Sequence, residues 1–408
     1  MVQRMSGKRP HRGGMLPSGI GLLFFLLCCT ILNCAILLGL TAGPAKAVPR
    51  FAMREKVSCS ACHVNPTGGG ARNEYGAGAY SRHTLARETD RTEVIRHDGL
   101  MASGIRIGAD FRFRIIYEQG TENGLPANHV GYQVTDADLY GVFEPARDLI
   151  FYLRHDPEND EIEAYALLKN IKGPTYLKLG AFSPDFGIRL DDPTAYTRAG
   201  DGDDIPNMPG GGLGFGGNDR DAGFELGYER SRWRFSFAYQ NGNGATAPVG
   251  SSKAQLYRFE LRPRLLGLEW IFGLSNYARA GAKRSGYFGG IGLGRLNILG
   301  EIDKADRLAL GPQTGLAAAH TGIQTAAWMF EASFKIKRGL DFVGRYDLWD
   351  SDTLVPGEGY KKIIFGFDYF PMPYLELQPQ MRMVQEPNTF AHPNIRNNLI
   401  LLLVHIWL

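Results

Sequence analysis

The chain has 408 residues, 44% hydrophobic and 21% charged, with a formal net charge of +3. A balance this close to neutral argues against a strongly basic partner surface. No nucleic-acid patch, phosphate-binding loop or nucleophile constellation stands out in it.

The first stretch is basic, with Arg4, Lys8, Arg9 and Arg12, and an apolar run from about Ile20 to Leu40 follows. Ala45-Lys46-Ala47 closes it as an A-x-A site, so residues 1–47 read as a secretory signal peptide. The apolar run is also long enough for one membrane span, which leaves an uncleaved anchor as the competing reading. Cys28, Cys29 and Cys34 fall inside this leader. The chain after Ala47 keeps two cysteines, Cys59 and Cys62.

Those two form Cys59-Ser60-Ala61-Cys62-His63, the attachment pattern for a c-type haem. Each thiol adds to a haem vinyl group as a thioether, and His63 becomes the proximal iron ligand. A redox-active disulfide and half of a zinc site are the alternatives. Zinc needs further ligands nearby and no second cysteine pair exists; a thioredoxin-like site expects a βαβ context that is missing. One covalent haem c, held by Cys59, Cys62 and His63, is therefore expected. His83, His97, Met53 and Met101 lie within reach in sequence as the distal iron ligand. His83 is favoured, with an open position as the alternative.

From Ser103 onward the texture is strict alternation. Ile105, Ile107, Ala109, Phe111, Phe113, Ile115 and Tyr117 face one way, and Arg106, Asp110, Arg112 and Arg114 the other, as a side-chain period of two requires. The pattern returns around Trp233–Tyr239, Trp328–Ile336 and Ile363–Tyr369. Candidate strands of about 9–11 residues with aromatic ends suit a tilted crossing of a bilayer. The expectation is an all-β, antiparallel outer-membrane β-barrel of about 14–16 strands over residues 103–408, with a soluble β-sandwich array as the alternative. The last stretch, Asn398 to Leu408 with Trp407 penultimate, resembles the terminal strand of bacterial outer-membrane barrels, although its final residue is leucine and not aromatic. Arg112, Arg114, Glu163, Arg345 and Glu376 would then line the lumen. Asp191-Asp192 and Asp201-Gly202-Asp203-Asp204 form an acidic loop whose spacing matches no EF-hand; solvated loop charge is the simpler reading.

Pro49-Arg50-Phe51-Ala52, the Cys59–His63 motif, Val64-Asn65-Pro66-Thr67-Gly68-Gly69-Gly70 and Arg72-Asn73-Glu74-Tyr75-Gly76 read as one unit. This unit resembles the start of the fused monohaem cytochrome–porins of bacterial outer membranes, whose best-known members are iron-oxidising cytochromes. Gly180-Ala181-Phe182-Ser183-Pro184-Asp185-Phe186-Gly187 also looks like a strand exit of related barrels. The resemblance covers the motif segment well and the barrel in architecture only. It implies outer-membrane electron transfer and leaves the electron donor open. Residues 48–102 then form a monohaem cytochrome c segment, too small to be stable without a staple such as haem. Arg72 is a candidate partner for a haem propionate, and Tyr75 a candidate ring contact. Arg112 and Arg114 are candidates to grip the segment in the lumen.

The resulting expectation is an exported outer-membrane electron-transfer protein that passes single electrons through its haem, with extracellular Fe(II) oxidation as one form. Whether it counts as an enzyme stays open. Its partners would be a periplasmic cytochrome or other electron carrier, an extracellular donor or acceptor, and outer-membrane lipid. The alternative is a solute porin whose haem is a structural or sensory plug.

Overall fold

The computed structural model describes residues 50–87, 99–122, 125–157, 161–188, 192, 194–198, 200, 212–213, 220–230, 232–242, 253–279, 282–306, 324–357, 359–385 and 396–408. The expected leader, residues 1–47, lies outside them.

Among the described residues three short helical pieces come first: α1 (Arg50–Glu55), α2 (Cys59–Cys62) and α3 (Tyr75–Leu85), the last wound as a π-helix. Strands follow: β1 (Leu100–Ala102), β2 (Ile105–Glu122), β3 (Leu125–Ala146), β4 (Leu149–Asp156), β5 (Glu161–Lys169) and β6 (Thr175–Phe182). Next come β7 (Asp221–Arg230), β8 (Trp233–Gln240), β9 (Ala254–Leu261), the two-residue β10 (Arg264–Leu265), β11 (Leu268–Arg279) and β12 (Ala282–Leu293). The chain continues with β13 (Leu296–Asp306), β14 (Gln324–Lys337), β15 (Leu340–Asp350), β16 (Gly359–Met372), β17 (Leu375–Gln385) and β18 (Arg396–Trp407).

Setting aside the short β1 and β10, each strand pairs antiparallel with its neighbour in sequence, and β9 pairs with β11. β18 returns to β2, with Trp407 opposite Asp110 and Asn398 opposite Gln119. Sixteen strands therefore close into a ring, the upper end of the expected range. Closure leaves no unpaired edge, which is what a sheet in hydrocarbon requires. β1 pairs with β2, so the sheet begins at Leu100, slightly before Ser103.

The alternation resolves as apolar out and polar in. Phe330 is 50% exposed while its neighbour Glu331 is 7% exposed. Ile105, Ile107 and Phe111 face outward, whereas Asp110 and Arg114 are buried. Apolar residues on the accessible face and charges on the enclosed one are the inverse of a soluble sheet, and match a wall facing lipid.

The two ends differ. At one, strands are joined tightly, as between Ala146 and Leu149, Arg230 and Trp233, Leu293 and Leu296, Lys337 and Leu340, and Met372 and Leu375. The opposite end carries the long connections, including the one between Phe182 and Asp221. Short turns mark the periplasmic end of such barrels. The stretch after Phe182 folds into the lumen. Asp185 pairs with Arg234 at 2.8 Å, the Ile188 N–H donates to Glu301 at 3.1 Å, and Asp192 pairs with Arg345 at 3.0 Å and Arg382 at 3.2 Å. Asp192 was expected to be solvated loop charge; its neighbours make it an anchor for this in-folded stretch. Asp191, Asp201, Asp203 and Asp204 lie outside the described residues.

Candidate functional site

The segment from Arg50 to Arg87 packs against inward-facing side chains at the short-turn end. In α1, Arg50 and Arg54 are four residues apart and so share one helix face. Both guanidinium groups lie over the Phe51 ring, at 5.0 and 5.1 Å. Arg50 then reaches Asp368 of β16 at 2.7 Å and Glu331 of β14 at 3.5 Å, and Arg54 pairs with Asp341 of β15. Phe51 meets Phe370 edge-on at 5.9 Å. Met53 is buried with Ile188, Ile271, Phe288, Leu299 and Met329.

α2 is one turn, and Cys59 and Cys62 at i and i+3 project from one side of it. The His63 N–H caps it by donating to Cys59 O at 2.9 Å. The chain then doubles back. Val64 N donates to Ala71 O at 3.0 Å, and the Asn73 amide donates to Ser60 O and Ala61 O, both at 3.0 Å. The reversal uses Gly68, Gly69 and Gly70 with φ of 86°, 70° and 65°, a left-handed run that side-chain-bearing residues rarely adopt. At Gly76 a Cβ would sit 2.1 Å from Cys62 O, so α3 lies directly on α2.

Cys59, Cys62 and His63 line one cleft, with about 910 Å³ of free space including open solvent. Its apolar wall brings together Phe51, Tyr80, Leu85, Phe370 and Trp407. Arg72 and Arg112 supply positive charge, and Arg72 lies 4.8 Å over the Trp407 ring. Phe51, Arg112, Glu376 and His405 also line a second, lumenal cavity. The cleft and the lumen thus share a wall.

The chemistry of this cleft fits a haem. An apolar wall edged by basic side chains suits a flat, largely apolar ring that bears carboxylates. His63 Nδ1 is 3.3 Å from Gly70 O. A carbonyl only accepts, so Nδ1 carries the proton and the metal-binding lone pair is on Nε2, the orientation that metal-ligating histidines use. Burial pushes the thiols of Cys59 and Cys62 both up to about 11. Redox-active cysteines have depressed values, so these thiols do not resemble a thioredoxin-like site. Among the described residues, no three His, Cys, Asp or Glu side chains gather where a metal ion could be held directly.

Other expected residues sit elsewhere. His83 is exposed on a groove with Asn73, Glu74, Tyr75 and Arg82, on another face from the cysteine cleft. Met101 is 58% exposed on β1, Met53 points into its own apolar cluster, and His97 lies outside the described residues. Tyr75 lines the groove with His83 and is 45% exposed, while Tyr80 takes the place in the cleft. Arg72 does line the cleft. Arg114 donates to Gln133 at 3.0 Å and Arg112 pairs with Asp110 at 3.2 Å. Most of the grip on the segment runs the other way, from Arg50 and Arg54 outward to wall carboxylates. Arg338 reaches inward to Ala86 O at 2.6 Å.

Sequence reading assigned no cleft role to His405, Trp407 or Phe370. His405 Nδ1 is 2.9 Å from Glu376 Oε2 and its Nε2 is 2.9 Å from Asp110 Oδ1. The Trp407 indole donates to Ser81 Oγ at 3.3 Å. The signal for His405 and Trp407 was the register of the last strand: both sit on its inward-facing positions, opposite Ile400 and Ile406.

Fold and apolar outer face define an outer-membrane, porin-like β-barrel of sixteen strands, located in the bacterial outer membrane. No family model matches the chain, and no curated protein sequence matches it. Among solved structures, the high-pH structure of Pseudomonas putida OprB has a TM-score of 0.56 at 8% identity, covering 80% of this chain and 99% of that one. A porin refined at 1.8 Å gives a TM-score of 0.49 at 14% identity, covering 74% and 100%. The outer membrane channel DcaP of Acinetobacter baumannii gives 0.49 at 12% identity, covering 76% and 99%.

Proposed function

We propose that this chain is a plugged outer-membrane barrel that carries out one-electron transfer at its periplasmic mouth through a single covalent haem c. The observation that carries the reading is the convergence of Cys59, Cys62 and His63 on one cleft that shares a wall with the lumen. Bound there, the haem supplies a one-electron Fe3+/Fe2+ couple. The chain's own residues do the rest. Cys59 and Cys62 provide the thioether sulfurs, and His63, steered by Gly70 O, provides the iron ligand. Phe51, Tyr80, Phe370 and Trp407 exclude water from the apolar ring. Arg72 and Arg112 supply positive charge for carboxylate substituents. Segment 50–87, clamped by Arg50, Arg54 and Arg338, closes the mouth.

A hydrocarbon core is about 30 Å thick. A cofactor held in the lumen wall spans part of that distance, which a periplasmic tether would not. An extracellular donor or acceptor, ferrous iron included, would meet the protein from the long-loop side. A second reading is a solute porin whose haem segment is a structural or sensory plug, and the fold likeness to porins favours it over the conduit.

The test uses the purified protein in liposomes and planar bilayers. The conduit predicts covalent haem in the visible spectrum, reduction of an enclosed acceptor by an external donor, and no wide ion current. A constant, wide ion current without electron crossing would establish the solute porin instead.

A further inference from the structure

We propose that the short-turn end is a basic docking ring for a soluble electron-carrier protein with an acidic face. This deepens, and rests on, the electron-transfer reading above. Six different turns each present an exposed cation: Arg147, Lys172, Arg230, Arg264, Arg295 and Arg338. The segment inside the ring adds exposed Lys56 and Arg87. Exposed acidic residues of that end, among the described residues, are Glu74, Glu144 and Asp148. Those eight exposed cations outnumber the three exposed acids of the same end. Such a rim attracts an anionic surface over about 8 Å at physiological salt and speeds its encounter.

Phospholipid headgroups are the other source of negative charge near a barrel rim. Three features tie this end to the aperture. Arg338 donates to Arg82 O at 3.0 Å and Ala86 O at 2.6 Å, so it faces the segment. Arg87 donates to the Tyr369 hydroxyl at 3.3 Å, and its N–H to Phe370 O at 2.8 Å. The groove along α3, lined by Glu74, Tyr75, Arg82, His83, Arg106 and Glu144, is a concave floor inside the ring. α3 backs onto Cys62 at Gly76, so a protein seated there lies against the cysteine-bearing turn.

The test is binding of two probes to the full membrane-embedded protein in nanodiscs: a plant-type ferredoxin as acidic carrier and mitochondrial cytochrome c as basic carrier. The expected result is ferredoxin binding at about 20 mM salt that weakens about tenfold or more by about 300 mM. The reversal variant Arg147→Glu/Lys172→Glu/Arg230→Glu/Arg295→Glu should lose ferredoxin and gain cytochrome c, with heat-modifiable mobility confirming a folded barrel. Milder neutral variants (Arg147→Gln, Lys172→Gln) should weaken ferredoxin partially. Ferredoxin binding that ignores salt and reversal, or no ferredoxin binding, overturns the proposal. So does a reversal that changes only enrichment of anionic lipid in the nanodisc, which would make the ring a lipid anchor. Charge-dependent ferredoxin binding by a protein that holds no covalent haem supports the ring and sinks the electron-transfer reading, so the two fail separately.

Discussion

Arg50 Nη2 lies 2.7 Å from Asp368 Oδ2, tying the start of the described segment to the inner wall of β16. The side chains are 13% and 3% exposed, so the pair is largely withdrawn from water. Arg50→Ala removes the cation and leaves a buried carboxylate, a change that costs about 3–5 kcal/mol. The segment should then become sensitive to limited proteolysis in intact membranes. Arg50→Ala/Asp368→Asn should recover part of the protection, because Asp368 no longer leaves an unpaired charge. Equal protection in all three proteins would show that the latch does not hold the segment.

Cys59→Ser/Cys62→Ser should abolish covalent haem, read by haem staining after denaturing electrophoresis, and leave the barrel folded. The wall's backbone ladder runs from β2 to β18 and back without using the segment. Heat-modifiable mobility measures that folding. His63→Ala should keep the thioethers and shift the visible spectrum, since the thiols and the iron ligand are separate groups.

Gly70→Ala asks for two penalties at once. Its φ is +65°, and a Cβ would meet the Tyr152 hydroxyl oxygen at 2.1 Å. Ala71 N also donates to that hydroxyl at 3.3 Å, so the clash disturbs a hydrogen bond. Backbone strain alone is worth about 1–3 kcal/mol. The haem yield of Gly70→Ala should fall, and Gly70→Ala/Tyr152→Phe should restore some of it. A yield equal to the parent would mean the turn tolerates another shape.

Asp192 gives the pH dependence. Burial works against its charge, but Arg382, Arg345 and Lys362 outweigh it and hold its carboxyl well below the usual carboxylate range. A folded-state value below the unfolded one means the anchor is fully present above the ordinary value of about 3.9 and is lost as pH falls below it. The in-folded stretch should stay docked from neutral pH to about pH 4 and loosen only in stronger acid. Asp192→Asn should loosen it across that whole range. Single-channel noise against pH reads this; a parent protein that loosens between pH 7 and pH 5 would contradict the assignment.

Much of this was legible in one dimension. The alternation around Ile105–Tyr117 and Trp328–Ile336 marked a wall with one apolar and one charged face, because a strand's period of two is local. Cys59, Cys62 and His63 were legible for the same reason: three groups on one helical turn and its capping residue need no tertiary information to converge. His83 was chosen by nearness in sequence, and α3 turns it onto the outer groove. Trp407 was read as part of the terminal strand, and the inward register of β18 brings it and His405 to the cleft.

Local spacing therefore determined the strands, the apolar outer face and the thiol–histidine group. Only the tertiary structure decided that sixteen strands close, and that Arg50 and Arg54 clamp the segment while Arg72, Phe370 and Trp407 complete its cleft. It also decided that six separate turns pool their cations at one mouth. The physical reason is range. Backbone periodicity is set by neighbours, whereas burial, ion pairing and surface charge sum over residues that only ring closure brings together.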